Sequence, residues 1–218
     1  MRSMSKGNVL LGSSLLCLGL IPAQNIAAAD SANEFLDMDI SQLMDITITS
    51  VSKKEQRLSD AAAAVFVITQ EYIHSSGVTH VAEALAMAPG IQVARISASK
   101  RSVSSRGFSG YTSNKLQILI DGRTVSSPAY SGTFWEMQNT LLEDVERIEV
   151  IRGPGGTLWG ANAVNGVINI ITKNSSDTRG GLVRAGVGDQ ERVQGAARYG
   201  WQIDDWADGR IYLTYNDR

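Results

Sequence analysis

The fold is decided by residues 145–173, which read VERIEVIRGPGGTLWGANAVNGVINIITK. Two runs rich in Val and Ile, 145–152 and 164–172, alternate their side chains with the period of two that is typical of strands. Residues 153–156, Gly-Pro-Gly-Gly, interrupt this pattern, because proline cannot donate to a strand ladder and glycine tolerates positive φ. The stretch therefore predicts two strands joined by a glycine-rich turn.

Taken alone, the glycine-rich turn is compatible with two further interpretations of this stretch. One is a β-hairpin in an unrelated α+β domain, since turn chemistry alone names no function. The other is a phosphate-binding loop in an enzyme. A dinucleotide-binding fingerprint needs a helix straight after its glycines, and a P-loop needs Gly-Lys-Ser/Thr. Here no Lys follows, and Asn165-Gly166 leads into another strand, so the phosphate-binding interpretation is disfavoured.

Three motifs resemble those of the plug domain of TonB-dependent outer-membrane receptors. They lie at 146–154 with 158–172, at 102–108 ending in Arg-Gly-Phe, and at 115–125 with an Asp-Gly turn. The resemblance implies an α+β plug domain, a small mixed sheet with short helices. It also implies that the plug is followed by the start of an antiparallel transmembrane β-barrel.

Helix and strand signals also interleave before the second motif. Strands are predicted at 65–68 and 91–96. Thr69 is placed to cap a short helix that ends at Gly77, and Thr79 to cap a second helix. Interleaving of this kind favours an α+β sandwich over a helical bundle.

The N-terminus has the pattern of a secretory signal. Arg2 and Lys6 precede an apolar run at 9–21, and small residues at 27–29 suit cleavage. The alternative is a short membrane anchor, but the apolar run is short for a span. We expect residues 1–29 to be a cleaved signal peptide. The only cysteine, Cys17, lies inside it, so the mature chain needs no disulfide.

Residues 30–54 are polar and are predicted to be a flexible N-terminal segment. A β-branched run within them resembles the TonB box, through which family members contact the periplasmic protein TonB: Asp45, Ile46, Thr47, Ile48, Thr49 and Ser50. An extended β-branched peptide suits strand addition to a sheet edge. The common family box begins Asp-Thr and ends Val-Thr-Ala, so this run departs from it at both ends. The alternative is that the run is simply the first strand of the domain.

The resemblance also implies roles for two arginines and three aromatic residues. Family plugs bury arginines against acidic residues of the barrel wall, and Arg106 and Arg152 match the two Arg-Gly motifs. The alternative is that both are ordinary edge-strand charges. Aromatic plug loops face the ligand in this family, so Tyr111, Tyr130 and Trp135 are candidate ligand contacts. The alternative is that these rings are packing anchors.

The sequence pattern changes in residues 174–218, the remainder of the chain. Runs at 183–187, 192–199 and 210–215 place apolar side chains one way and polar ones the other, as transmembrane barrel strands do. A soluble meander with one wet face is the alternative. Plugged transporters have about 22 strands. We therefore expect a plug at 55–173 followed by the first strands of an incomplete, truncated barrel.

Together these features predict a TonB-dependent receptor in the outer membrane of a Gram-negative bacterium, with its plug facing the periplasm. It would take up a metal chelate, a ferric siderophore, with TonB and its inner-membrane energising complex as partners. The alternative is a soluble periplasmic plug-like module for binding or signalling.

Other function classes lack support in the sequence. The formal net charge is -2, without runs of like charge, so no nucleic acid partner is expected. The two histidines, His74 and His80, cannot share one helical face, and no metal site or cofactor is predicted. No Ser-His-Asp pattern is recognisable, so we expect no enzyme activity.

Overall fold

A computed structural model of the chain describes residues 47–51, 54, 56–61, 63–188, 192–203 and 206–217. The predicted signal peptide and the first part of the flexible segment, with Asp45 and Ile46 of the candidate TonB box, lie outside the described residues.

The described residues form strands and short helices that alternate between residues 47 and 178, and three longer strands follow. The strands are β1 Thr47–Ile48, β2 Gln56–Arg57, β3 Ala64–Thr69, β4 Ile91–Arg95, β5 Arg101–Ser105, β6 Leu116–Ile120, β7 Arg123–Thr124, β8 Val145–Arg152, β9 Gly166–Thr172, β10 Gly180–Val187, β11 Val193–Ile203 and β12 Ala207–Asp217. The α-helices are α1 Gln70–Ser76, α2 Val81–Ala84 and α3 Gly156–Trp159. Single 3-10 turns lie at Leu58–Asp60, Leu85–Met87, Trp135–Met137, Leu142–Asp144 and Ser175–Thr178.

The central sheet has five strands in the order β3-β8-β9-β6-β7. Strands β6 and β9 pair in parallel, and the other neighbours pair antiparallel. Two small antiparallel pairs, β4 with β5 and β1 with β2, lie outside it. The predicted mixed sheet with short helices is therefore confirmed.

The period of two in β8 and β9 divides the sheet into two faces. Ile148, Val150, Ile168 and Ile170 are buried in the main core with residues of α1 and α2. Neighbouring positions belong to the other face, where Ile151 and Val167 join a smaller apolar cluster with Val51 and Trp159. The second face carries the polar residues of the candidate site described below.

The connection between β8 and β9 is longer than the predicted turn. It spans 153–165 and contains the one-turn helix α3. Because β9 runs antiparallel to β8, the two strands do not form the parallel βαβ unit of a dinucleotide-binding fold. The phosphate-binding interpretation therefore lacks its structural context.

The two helix caps were predicted with different success. The Thr69 hydroxyl accepts a hydrogen bond from the Tyr72 N–H, and Gly77 ends α1 in the left-handed region at φ 67°, as predicted. The prediction for Thr79 was wrong by one residue. His80 Nδ1 accepts from the Ala82 N–H and caps α2, because the Thr79 hydroxyl instead donates to Glu83.

The last three strands form a separate antiparallel sheet in the order β10-β11-β12. Their apolar side chains point away from the plug; Val183 and Val187, for example, are 85% and 86% exposed. Within the described residues these strands do not close into a barrel. No helix in the described part of the chain is both long and apolar enough to cross a membrane.

Candidate functional site

The candidate TonB-box segment lies on the second face of the central sheet. Thr47 pairs with Arg57 and Ile48 with Gln56 in the short ladder between β1 and β2. The Ile48 side chain is fully buried and Ser50 is also buried. Thr47 and Ile48 therefore form a short strand, as in the alternative interpretation of this run. Thr49 and Ser50, which follow, are instead held by hydrogen bonds with side chains.

A buried carboxylate binds the backbone of this segment. Glu149, on β8, is 0% exposed. Its Oε2 accepts the Ser50 N–H at 2.9 Å, and both oxygens lie within 3.3 Å of the Thr49 N–H. Arg147 Nε donates to Glu149 Oε1 at 3.0 Å. The carboxylate thus has both a cationic partner and two backbone donors, as a buried charge requires.

Two further side chains bind Ser50. Trp159 Nε1, on α3, donates to the Ser50 carbonyl at 2.8 Å. Asn169 Nδ2, on β9, donates to the Ser50 hydroxyl at 3.1 Å. We call Glu149, Trp159 and Asn169 the Ser50 clamp. All three belong to the stretch 145–173, so the residues that decide the fold also hold the N-terminal segment.

The two Arg-Gly motifs meet at one end of the plug through Asn165. Its side chain donates to the Ser105 carbonyl at 3.2 Å, and its carbonyl accepts the Gly153 N–H at 3.1 Å. Arg106 and Arg152 are therefore brought to the same end, and both are exposed. Neither guanidinium has an ion-pair partner within the described residues. Asn165 was not singled out from the sequence, although Asn-Gly before a strand signals a special turn.

The candidate ligand-facing aromatics separate into two groups. Tyr111 and Tyr130 contact the ring of Phe134, with centroid distances of 5.6 Å and 5.8 Å. Tyr130 is 63% exposed. Trp135 is instead 2% exposed and lies in the main core. For Trp135 the structure shows the packing alternative, because its 3-10 turn folds the side chain inward.

Charged groups surround the Tyr111 ring. Its hydroxyl donates to Glu136 Oε1, and Lys100 Nζ lies 4.9 Å from the ring centroid. The hydrogen bond to the Glu136 carboxylate, with smaller contributions from burial and from the carboxylate charge, raises the pKa of Tyr111. The phenol therefore keeps its proton at neutral pH, and that proton is held in the hydrogen bond to Glu136.

Ion pairs join the plug to the last three strands. Asp144, just before β8, contacts Arg198 on β11 and lies 3.8 Å from Arg210 Nη1 on β12. Its neighbour Glu143 accepts from Arg184 Nη1 on β10 at 3.0 Å. Here the acids are on the plug and the arginines on the strands, the opposite polarity to that expected for the two Arg-Gly motifs. The inward arginine of each alternating strand was the signal for these pairs.

The family model of the TonB-dependent Receptor Plug Domain matches residues 57–167. The chain belongs to this plug family. The resemblance found in the sequence is therefore confirmed, and the five-stranded mixed sheet is the plug.

Named relatives agree with the plug family. The chain is 33% identical over 147 residues to the vitamin B12 transporter BtuB of Vibrio vulnificus (strain CMCP6), covering 67% of this chain and 24% of the relative. It is 34% identical over 160 residues to the iron-regulated outer membrane virulence protein of Vibrio cholerae serotype O1 (strain ATCC 39315 / El Tor Inaba N16961), covering 71% and 24%. This chain thus spans about a quarter of the length of these curated relatives.

A solved structure shows the same fold. The crystal structure of the ferripyoverdine receptor of the outer membrane of Pseudomonas aeruginosa, bound to ferripyoverdine, matches with a TM-score of 0.61 at 21% identity. The match covers 78% of this plug-family chain and 22% of the receptor chain.

Proposed function

We propose that this chain is part of a TonB-dependent outer-membrane receptor that takes up a metal chelate, a ferric siderophore, into a Gram-negative bacterium. Its plug faces the periplasm, and TonB with its inner-membrane energising complex drives transport. Residues 1–29 are the cleaved signal peptide, 30–54 the flexible segment, 55–173 the plug and 174–218 the first barrel strands. Family membership and the names of the relatives support this proposal.

The outward face of β10, β11 and β12 favours a membrane receptor over the soluble periplasmic alternative. Val183, Val187 and Leu213 are all at least 74% exposed, and Ile211 and Tyr215 are more than half exposed. Monomeric soluble proteins rarely expose so large a continuous apolar patch. Contact with lipid would remove this apolar face from water. The opposite face carries arginines that point toward the plug, and this alternation of apolar and polar faces is typical of transmembrane barrel strands.

The partners follow from the candidate residues. Residues 45–50 are the proposed TonB-binding segment. Arg106 and Arg152 are proposed to pair with acidic residues of a barrel wall, since Asn165 brings both to one end of the plug. Tyr111 and Tyr130 are the proposed ligand-facing rings. Trp135 is left out because its side chain lies in the core.

The proposal is tested by iron uptake in the source bacterium. Deleting the gene should abolish uptake of at least one radioactive ferric siderophore under iron starvation, and the protein should sediment with the outer membrane. Deleting tonB should have the same effect on uptake. Vitamin B12 uptake is measured in parallel to separate the two chelate classes. Recovery of the protein in the soluble periplasmic fraction, with uptake unchanged, would refute the receptor and favour the soluble module.

A further inference from the structure

We propose that Lys100 is a specificity-determining residue whose ammonium group selects metal chelates that carry a net negative charge. The inference rests on the proposed uptake of a metal chelate and narrows the substrate class of that same site. It concerns the cluster around Tyr111, in which the aromatic rings themselves offer no cation to an anionic ligand.

The ammonium group of Lys100 is not neutralised by a carboxylate. Lys100 is exposed, and none of the ion pairs between the described residues includes it. Its Nζ instead lies over the Tyr111 ring, 4.9 Å from the centroid. The electron-rich face of an aromatic ring attracts an ammonium group without cancelling its charge. The contact therefore holds a cation that an anionic ligand can still bind.

Tyr111 is itself held from two directions. Its hydroxyl donates to Glu136 Oε1, and its ring packs against Phe134 at an interplanar angle of 59°. The carboxylate thus contacts the hydroxyl end of the phenol, whereas the ammonium group lies over the face of the ring. Tyr111 is therefore a positioning residue, because its fixed ring fixes the place of the Lys100 ammonium group.

The backbone of Lys100 is equally constrained. The N–H groups of Ile96 and Ser97 both donate to the Lys100 carbonyl, at 2.9 Å and 3.3 Å. The Lys100 N–H donates to the Ser97 hydroxyl at 3.3 Å. The next residue, Arg101, is buried and donates to Glu83. A cation that is held in position before binding loses less conformational freedom when the ligand arrives.

A fixed ammonium group beside exposed rings distinguishes chelates by their charge. The Tyr130 ring is exposed and packs edge-on against Phe134, so it offers apolar contact to a chelate of any charge. Lys100 adds a charge-assisted hydrogen bond only to an anionic oxygen of the ligand. Ferric tris-catecholates carry a net negative charge, whereas ferric trihydroxamates without further ionised groups are neutral. The cluster should therefore favour the tris-catecholates.

Binding of these two chelates to the whole receptor, extracted from the outer membrane in detergent, tests the selectivity. Equilibrium dialysis with radioactive iron gives the Kd of each chelate. Lys100→Gln removes the charge, and Lys100→Arg keeps it. Arg123→Gln is the matched control, since Arg123 is an exposed cation on β7 that also lies outside the ion pairs of the described residues.

The expected changes follow from the contacts removed. Lys100→Gln should raise the Kd of the tris-catecholate about 3- to 10-fold and leave that of the trihydroxamate unchanged. Lys100→Arg and the control should bind both chelates like the parent. Tyr111→Leu removes the ring under the ammonium group and should raise the Kd of the tris-catecholate about 2- to 5-fold. In a Lys100→Gln background it should have no further effect. Should Tyr111→Leu prove misfolded by thermal unfolding, the exposed Lys100 variants decide.

Uptake of the same chelates by cells separates this inference from the proposed function. Charge-dependent binding without TonB-dependent uptake supports the role of Lys100 and refutes the transporter. TonB-dependent uptake of the tris-catecholate that is unchanged in Lys100→Gln, with unchanged Kd, supports the transporter and overturns the role of Lys100. Failure of the parent to bind the tris-catecholate, or an equal loss of both chelates in Lys100→Gln, also overturns the inference.

Discussion

Glu83 provides a pH-dependent test of how the plug is stabilised. This carboxylate on α2 accepts from Arg101 Nη2 and from Arg95 Nη2, both at 2.7 Å, and from the Thr79 N–H at 3.3 Å. Arg101 is 1% exposed. Burial opposes ionisation of Glu83, but the hydrogen bonds from Arg101 and Arg95 outweigh it and lower the pKa to about 2.

The magnitude follows from linkage between ionisation and folding. The ordinary pKa is 4.5, and each unit of difference between the folded and unfolded states corresponds to about 1.4 kcal/mol. Ionised Glu83 therefore stabilises the folded state by about 3 kcal/mol at neutral pH. Because the folded pKa is the lower one, this stability is fully present above about pH 4.5 and is lost as the pH falls through about 2. About 2 kcal/mol of it should be gone by about pH 3.

Urea unfolding of the protein and of Glu83→Gln at about pH 7 and about pH 3 measures this loss. Other carboxylates titrate equally in both proteins, so the difference between their free energies of unfolding isolates Glu83. This difference should shrink by about 2 kcal/mol at the lower pH. Glu71→Gln, which changes an exposed glutamate, should show no such shrinkage. A difference that stays constant between the two pH values would refute the lowered pKa.

Five further substitutions test the interfaces and one cap. Asp144→Asn removes the carboxylate shared by two arginines and should cost about 3 kcal/mol in thermal unfolding; Arg198→Gln should cost less, and the reverse order would contradict the pairing. Gly200→Ala would place a Cβ 2.1 Å from a backbone oxygen and should lower the melting temperature. Gly195→Ala enters open space and should melt like the parent; equal melting of both variants would count against this contact. Thr69→Ala removes the α1 cap and should cost about 1 kcal/mol in urea unfolding, with no change disproving the cap's role.

The strands and the plug fold could be predicted because their signals are local. Alternation in β8 and β9 and the turn residues around them are visible within a few positions. The contacts of Glu149 could not be predicted in this way. Glu149 is about 100 residues from Thr49 and Ser50 along the chain, and periodicity carries no information about such pairs. A glutamate at an alternating strand position looks like an ordinary solvent-facing charge.

The burial of Trp135 and the error at Thr79 have equally specific causes. Trp135 lies in a loop by sequence pattern, but a 3-10 turn directs it into the core. Thr79 is a good capping residue, yet its hydroxyl binds Glu83 and the cap passes to His80. In both places a tertiary contact overrides a local preference.

The arginines of β10, β11 and β12 also make the three strands sensitive to their alignment. Arg184, Arg198 and Arg210 each sit at an inward position of a different strand and meet the Glu143-Asp144 turn. A slip of one residue in the β10–β11 hairpin would turn Arg184 to the apolar side and leave Glu143 without this cation, and a slip in the β11–β12 hairpin would remove one of the two arginines at Asp144. Each slip would remove an ion pair and place a charge on the apolar face, so these contacts favour the observed register of the three strands over its neighbours.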